Sequence, residues 1–335
     1  MQGCPTVLGL PAERGEAVLH AAAEAPSLHN SQPWKFRLWR RLIEVHADVT
    51  RRLPAADPDD RELRLACGAA LLNLRLALDH EQVHPVVTIP PDGDDRPTLL
   101  AEVRAGQRGS PSTASEQLYR MIDRRHTARA PFRERPVPAE LRHEMIQAVQ
   151  QEGCWLHVVG RGELGQLEGL VHRAHRVQMA DRRFREELER WTGRGLEDPE
   201  GVPAAAAGPA PEPQDRWVVR DFSAGRARRR DPGHDFETQP LLAVVSSQDS
   251  GPGAEVRAGE ALQRMLLTAT AGGLVASPLS QVIEVSETRQ ELAGLLGGGW
   301  NPHAVVRIGF GTPGPPSPRR STEDVVDVRT SSPAP

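Results

Sequence analysis

The stretch "DRRHTARAPF", residues 123–132, places Arg124, Arg125 and Arg129 around the hydroxyl of Thr127 within six residues. Guanidinium forks match phosphate oxygens in pairs, and a hydroxyl adds one more donor. A turn of this composition can therefore enclose a phosphate. The same arginines at a helix end would also suit the helix dipole, and the stretch alone leaves both readings open. Arg319-Arg320 in "SPRRST" is a second basic pair. Two separated arginine sites can reach one dianionic phosphate. The rest of such a ligand then needs polar groups that read a flat, hydrogen-bonding ring. Two Pro/Ser loops carrying a carboxamide supply them, "PSLHN" at 26–30 and "SPLSQ" at 277–281. The first lies in "APSLHNSQPW", a string that neither an amphipathic helix nor a half-buried strand requires.

Other spellings of chemistry fail on context. "HEQVH", 80–84, has zinc-protease spacing, but Pro85 pushes His84 out of the helical region, so the two histidines do not share a helical face. "GFGTPG", 309–314, spells a dinucleotide fingerprint, yet "PGPP" follows where a helix must open. His172 and His175, beside Arg173 and Arg176, read as a solvated helix face, and "GRARRRD" (225–231) as a solvated loop without interleaved aromatics. No metal site and no side-chain catalytic constellation is expected.

The whole-chain numbers agree with a small-molecule protein. The 335 residues carry a net charge of −4, which argues against a surface that is one nucleic-acid footprint. Forty arginines stand against a single lysine, Lys35, a bias that codon composition explains. Three scattered cysteines, Cys4, Cys67 and Cys154, form neither a zinc ribbon nor a disulfide framework. The N-terminus lacks a basic, apolar leader, and no run approaches the ~18 apolar residues of a membrane helix, so a cytoplasmic protein without a membrane partner is expected.

The elements that must position these residues can be read in outline. Residues 12–24 predict an Ala-rich helix, 35–48 one or two strands, and 60–80 a strongly apolar central helix ending near His80. "PVVTIP" and "TLLAEVRA" predict strands paired around "PDGDDRP". Helices follow at about 115–124, 138–151 and 163–191, with the strand "CWLHVVG" between the second and third. Then come "LLAVVSS", a helix at 256–272, a helix at 286–296 and the strand "HAVVRIGFG". Residues 193–240 have no period, and an irregular stretch that long within a compact domain is functional or disordered. "CGAALLNLRLALDHEQVHPVV" (67–87) echoes "AGEALQRMLLTATAGGLVASPL" (258–279), each following a strand. A duplication gives two α+β halves, about 1–110 and 111–335, with an insertion at about 193–240 and a Pro-rich tail from Gly314.

Taken together, "APSLHNSQPWKF", "RRHTARAPF", "GEALQRMLLTATAGGLVASPLSQVIEV" and "PRRS" resemble the nitroreductase superfamily, in its single-chain Acg-type branch, from about residue 20 to 327. The resemblance implies the nitroreductase-like fold, an intrachain pseudo-dimer and one FMN. By motif, Ser27 and Asn30 approach the flavin. Arg125, Thr127 and Arg129 take its phosphate and pyrimidine, and Arg319 or Arg320 reaches the phosphate. Pro278, Ser280 and Gln281 lie beside the flavin N5. The implied reaction passes hydride from NAD(P)H through FMN to a small acceptor such as a nitroaromatic or quinone. The alternative is an FMN storage protein sealed by the 193–240 segment, with Trp217 and Phe222 within it and Trp191 just before it placed to cover the ring.

Overall fold

The computed structural model describes residues 7–90, 95–227, 230 and 235–329. Cys4 lies outside them, as do residues 91–94 of the predicted turn and Arg228, Arg229 and Asp231 of the basic run. Helix α1 (Ala12–Ala23) starts after Pro11 and leads through the short turn Leu28–Asn30 into the hairpin β1 (Trp34–Trp39) and β2 (Leu42–Ala47). Trp34, Phe36 and Leu38 alternate inward along β1. Helix α2 (Arg61–His80) is capped by Asp57, whose carboxylate accepts from the amides of Arg61 and Leu63 at 2.8 and 2.9 Å. Its last residue is His80, and His84 already lies in β3 (Val83–Thr88), which pairs with β4 (Leu99–Arg108). The two histidines take separate partners: Glu116 for His80 and Asp79 for His84.

The second part runs α3 (Thr113–Tyr119), α4 (Ala139–Gln151), β5 (Trp155–Val158), α5 (Leu164–Ala180) and α6 (Arg182–Trp191). The helix expected over 163–191 is thus two helices. Asp181 takes an extended conformation and caps α6 by accepting from the Arg183 amide at 2.8 Å. Short β6 (Thr192–Arg194) and β7 (Val202–Pro203) pair parallel at the start of the insertion. Then follow β8 (Leu241–Ser247), α7 (Pro252–Ala271), β9 (Val275–Pro278), α8 (Gln281–Glu284), α9 (Ser286–Leu295), β10 (Asn301–Gly309), α10 (Thr322–Val325) and β11 (Val326–Val328). Helix α7 begins four residues earlier than its apolar pattern, because Pro252 suits a first helical position. No helix follows Gly309 directly; residues 311–321 are irregular.

The architecture is α+β. One sheet has the order β11-β1-β2-β4-β3 and the other β5-β8-β10-β9. Within each, the four strands β1, β2, β3, β4 and β5, β8, β9, β10 repeat one scheme: first beside second, second beside fourth, fourth beside third, every pair antiparallel. A 20-residue helix joins the second strand to the third in both, α2 in one and α7 in the other. Those helices cross at Gly68 and Gly259. A Cβ on Gly68 would meet the Val256 carbonyl oxygen at 2.0 Å, and one on Gly259 would meet that of Leu65 at 2.0 Å, so the contact is reciprocal. The tail also does more than its composition suggests. It forms α10 and then β11, which pairs parallel with β1 in the first sheet, Phe36 opposite Val326.

The insertion is packed against the body. Trp217 is fully buried in a cluster with Leu167, Val171, Val244 and Val282. Within "GRARRRD", Arg226 is exposed as expected while donating to the Gly193 carbonyl, whereas the Arg230 side chain is buried against Asp215 and not solvated as expected. His172, too, is turned inward, bonding to the Arg216 carbonyl at 3.1 Å. Among the described residues no helix is long and apolar enough to cross a membrane, and Cys67 and Cys154 are buried free thiols.

Candidate functional site

The loop before β1 is buried and conformationally costly. His29, Asn30 and Gln32 all have positive φ, at 51°, 56° and 50°, a region that disfavours side chains. Hydrogen bonds from far along the chain hold it. The Asn30 amide donates to the carbonyls of Gly201 and Pro318, at 3.1 and 3.0 Å, and its oxygen accepts from Arg319 at 3.0 Å. Gln32 donates to the Pro199 carbonyl and accepts from the Arg320 amide, both at 2.8 Å. Ser27 Oγ accepts from the Gln32 amide at 2.9 Å. The loop is therefore knitted to the insertion on one side and to the tail on the other.

The arginine segment is placed by β9. Thr127 forms a parallel bridge with Ala276, and the Ala128 amide donates to the Ala276 carbonyl at 3.0 Å. Arg125 is buried, forms no ion pair among the described residues and leaves its Nε without a partner. Its Nη2 reaches only the Glu24 carbonyl, at 3.4 Å, and Arg319 donates to the same oxygen at 3.1 Å. Burial, then the Arg319 charge, pulls the Arg125 guanidinium down to about 9. Arg319 carries the tail onto the end of α1, donating to the carbonyls of Ala23 and Glu24 and lying 3.6 Å from the Glu24 carboxylate.

A partly open cavity lies between the two parts of the chain. Pro26, Ser27, Leu28 and His29 form one side, Thr127 and Arg129 another, and Pro278 and Ser280 a third. Leu65, Ala66, Ala69 and Leu262 make an apolar floor from α2 and α7, and Glu62, Phe222 and Ala304 and Val305 of β10 complete the lining. Arg129 donates to the Ala206 carbonyl at 3.0 Å and stacks 4.6 Å from the Phe222 ring centre. Burial and the neighbouring Arg220 bring its guanidinium down to about 10. The insertion is fastened beside this cavity. Arg220 pairs with Glu284 at 2.9 Å, both side chains buried, and bonds to Gln178 at 2.6 Å. Burial alone would raise the Glu284 carboxyl, but Arg220 holds it below the usual range.

Of the residues singled out in the sequence, Ser27, Thr127, Arg129, Pro278 and Ser280 line the cavity. Gln281 is buried at the start of α8, next to that wall. Arg125 and Arg319 do not line it; they meet at the Glu24 carbonyl, two residues before Pro26. Asn30 is saturated by protein partners, and Arg320 is turned toward Asp48 and the Asp324 carbonyl. Sequence reasoning missed Glu62, Arg220 and Glu284, and it assigned no role to His29. Glu62 reads as an ordinary first-turn acid of α2. Yet burial, then the charge of Asp57, holds its carboxyl well above the usual range.

This arrangement can hold a flat, partly apolar ligand with an anionic end. Across 322 residues, 94% of this chain and 92% of the other, the sequence is 33% identical to "Putative NAD(P)H nitroreductase Rv3131" of Mycobacterium tuberculosis. Across 324 residues it is 30% identical to "Putative NAD(P)H nitroreductase acg" of the same organism, covering 94% of this chain and 95% of that one. The chain belongs to the nitroreductase superfamily, in its Acg-type branch. No protein-family model matches this nitroreductase-family sequence. Among solved structures it is similar to an FMN- and NADPH-dependent nitroreductase, NfnB, of a Sphingopyxis strain. That similarity has a TM-score of 0.39 at 19% identity, over 64% of this chain and 98% of that one. Similarity to an FMN-bound nitroreductase of Bacteroides fragilis has a TM-score of 0.36 at 16% identity, over 60% and 89%.

Proposed function

We propose that this nitroreductase-family protein binds one FMN per chain between two related halves and works as an NAD(P)H oxidoreductase. The observation that carries the reading is Arg125. A buried guanidinium with an unpartnered Nε, beside a second arginine and without an ion pair among the described residues, fits a phosphate. Each charge-assisted bond to that phosphate contributes roughly 1.5–3 kcal/mol. Two or three, with ring burial, support micromolar affinity, about −8 kcal/mol.

Arg125 and Arg319 hold the phosphate in this reading. Ser27, Thr127 and Arg129 present polar atoms to the heterocycle, and Pro278, Ser280 and Gln281 form the wall beside its redox-active nitrogen. Asn30 and Arg320 act as positioning residues, because their polar atoms are already occupied in fastening the loop. FMN supplies two-electron redox chemistry between a reduced nicotinamide and a small acceptor such as a nitroaromatic or quinone. The reductant class follows the names of the two mycobacterial relatives. The shared strand scheme and the reciprocal glycine crossing support a duplicated chain, an intrachain pseudo-dimer with one site. The halves divide near residue 110, the tail returning as β11 to the first sheet.

One observation favours a second reading. The insertion lies on the cavity, with Phe222 on its rim and Arg220 buried against Glu284. If it stays down, a nicotinamide cannot reach the ring and the protein stores FMN. Anaerobic titration separates the two. Bleaching of the bound flavin by NADH or NADPH supports the oxidoreductase, and bleaching by dithionite alone supports storage. Protein that stays colourless in excess FMN, by absorbance and mass, overturns both.

A further inference from the structure

His29 lies in the middle of the flavin loop, and nothing above gives it a task. It is 3% exposed and forms part of the cavity wall, yet neither ring nitrogen has a hydrogen-bond partner. That is unusual for a buried polar side chain. The protein does pair its other deeply buried histidines. His46 bonds to Glu44 at 3.0 Å and Thr98 at 3.1 Å, and His303 bonds to Ser247 at 2.7 Å. Packing offers His29 little in exchange, since its aromatic contact among the described residues is an edge-on Phe222 with ring centres 6.1 Å apart. The backbone is also held left-handed at φ 51°, where a branched or bulky residue is costly, and the bonds of Asn30 and Gln32 on either side keep it there.

The surroundings fix what the ring can offer. Burial, followed by the Arg220 charge, drives the imidazole down to about 3, so it is neutral at physiological pH. The nearby Glu284 carboxylate is committed to Arg220 and Gln178 and does not reach His29. A neutral imidazole carries one N–H donor and one acceptor nitrogen. Both are unpaired and buried, in a residue that lines the cavity. A planar heterocycle edged with carbonyl oxygens and ring nitrogens has complementary groups.

We propose that His29 is a ligand-contacting residue of the cavity, whose ring nitrogens hydrogen-bond the polar edge of the heterocycle held there. The proposal rests on the FMN reading and adds to it a contact from the middle of the loop. It also explains the strain. The left-handed turn sets His29 in the cavity wall at a conformational cost that ligand binding offsets.

The test compares His29→Phe and His29→Asn with the wild type, using apoprotein and FMN titrated by flavin fluorescence. Phenylalanine keeps a ring but removes both polar atoms. Asparagine tolerates positive φ and keeps a donor and an acceptor. The expected result is FMN affinity about tenfold or more weaker in His29→Phe, with His29→Asn nearer the wild type. The empty His29→Phe protein should melt no lower than the wild type, because two unsatisfied atoms are gone. In the wild type, ¹⁵N resonances of the His29 ring should move on FMN addition. Unchanged affinity in His29→Phe and unmoved ring resonances, in protein that does bind FMN, overturn this inference and leave the FMN reading standing. Wild-type protein that binds no FMN overturns both.

Discussion

Replacing Arg125 by methionine separates a ligand-binding cation from a structural one, because the two predict stability changes of opposite sign. The guanidinium is buried, forms no ion pair among the described residues, leaves Nε unbonded and faces the Arg319 charge. A base depressed from the ordinary guanidinium range to about 9 costs the folded state on the order of 5 kcal/mol at neutral pH. Methionine fills a similar volume without the charge, so the empty variant should melt several degrees higher than the wild type. The pH dependence carries the same sign. Above pH 9 the folded chain has released this proton and the unfolded chain has not, so the unfolded state binds more protons and wild-type stability rises with pH. The stability gap between Arg125→Met and wild type should therefore narrow between pH 8 and 10.5. FMN affinity moves the other way. Losing one or two charge-assisted bonds at 1.5–3 kcal/mol each weakens binding by at least ~10-fold and up to ~150-fold for one bond alone. Differential scanning calorimetry of apoprotein across pH, with fluorescence titration of FMN, measures both. A variant that melts lower than wild type and binds FMN equally well would refute the assignment of Arg125 to the phosphate.

Other perturbations test the frame around the site. Arg319→Met should lower the melting temperature of the empty protein, unlike Arg125→Met, because Arg319 ties the tail to the end of α1 through the Ala23 and Glu24 carbonyls; calorimetry reads the contrast. Gly68→Ala should cost on the order of 2 kcal/mol in chemical denaturation. The added Cβ would sit 2.0 Å from the Val256 carbonyl oxygen, and the forced separation of α2 and α7 outweighs the ~1 kcal/mol gain in helix propensity. An Arg220→Met protein should be cut within the insertion by trypsin at least tenfold faster than wild type, since breaking a buried pair costs ~3–5 kcal/mol; equal rates would show that other contacts hold the segment.

Much of this protein was legible along the chain. The end of α2 at His80 follows from the steric demand of Pro85, and β1 and β2 follow from their residue types. The loop at 25–33 announced itself as polar where no element needed polarity, and the arginine segment as a cluster of guanidinium groups. These are local signals, set by backbone sterics and by periods of a few residues. Other features depend on partners hundreds of residues away, and no local pattern encodes them. Asn30 looks like a ligand group, but the carbonyls of Gly201 and Pro318 occupy its amide. Arg320 looks like the twin of Arg319, but Asp48 draws it aside. The Pro-rich tail hides β11, whose order depends on the open edge of β1. His29 is an unremarkable letter in its loop, and only the fold leaves both of its nitrogens without a partner in a residue that lines the cavity. Sequence sets which polar groups exist. Which remain unsatisfied, and so available to a ligand, is decided by the distant atoms that folding brings within hydrogen-bond range.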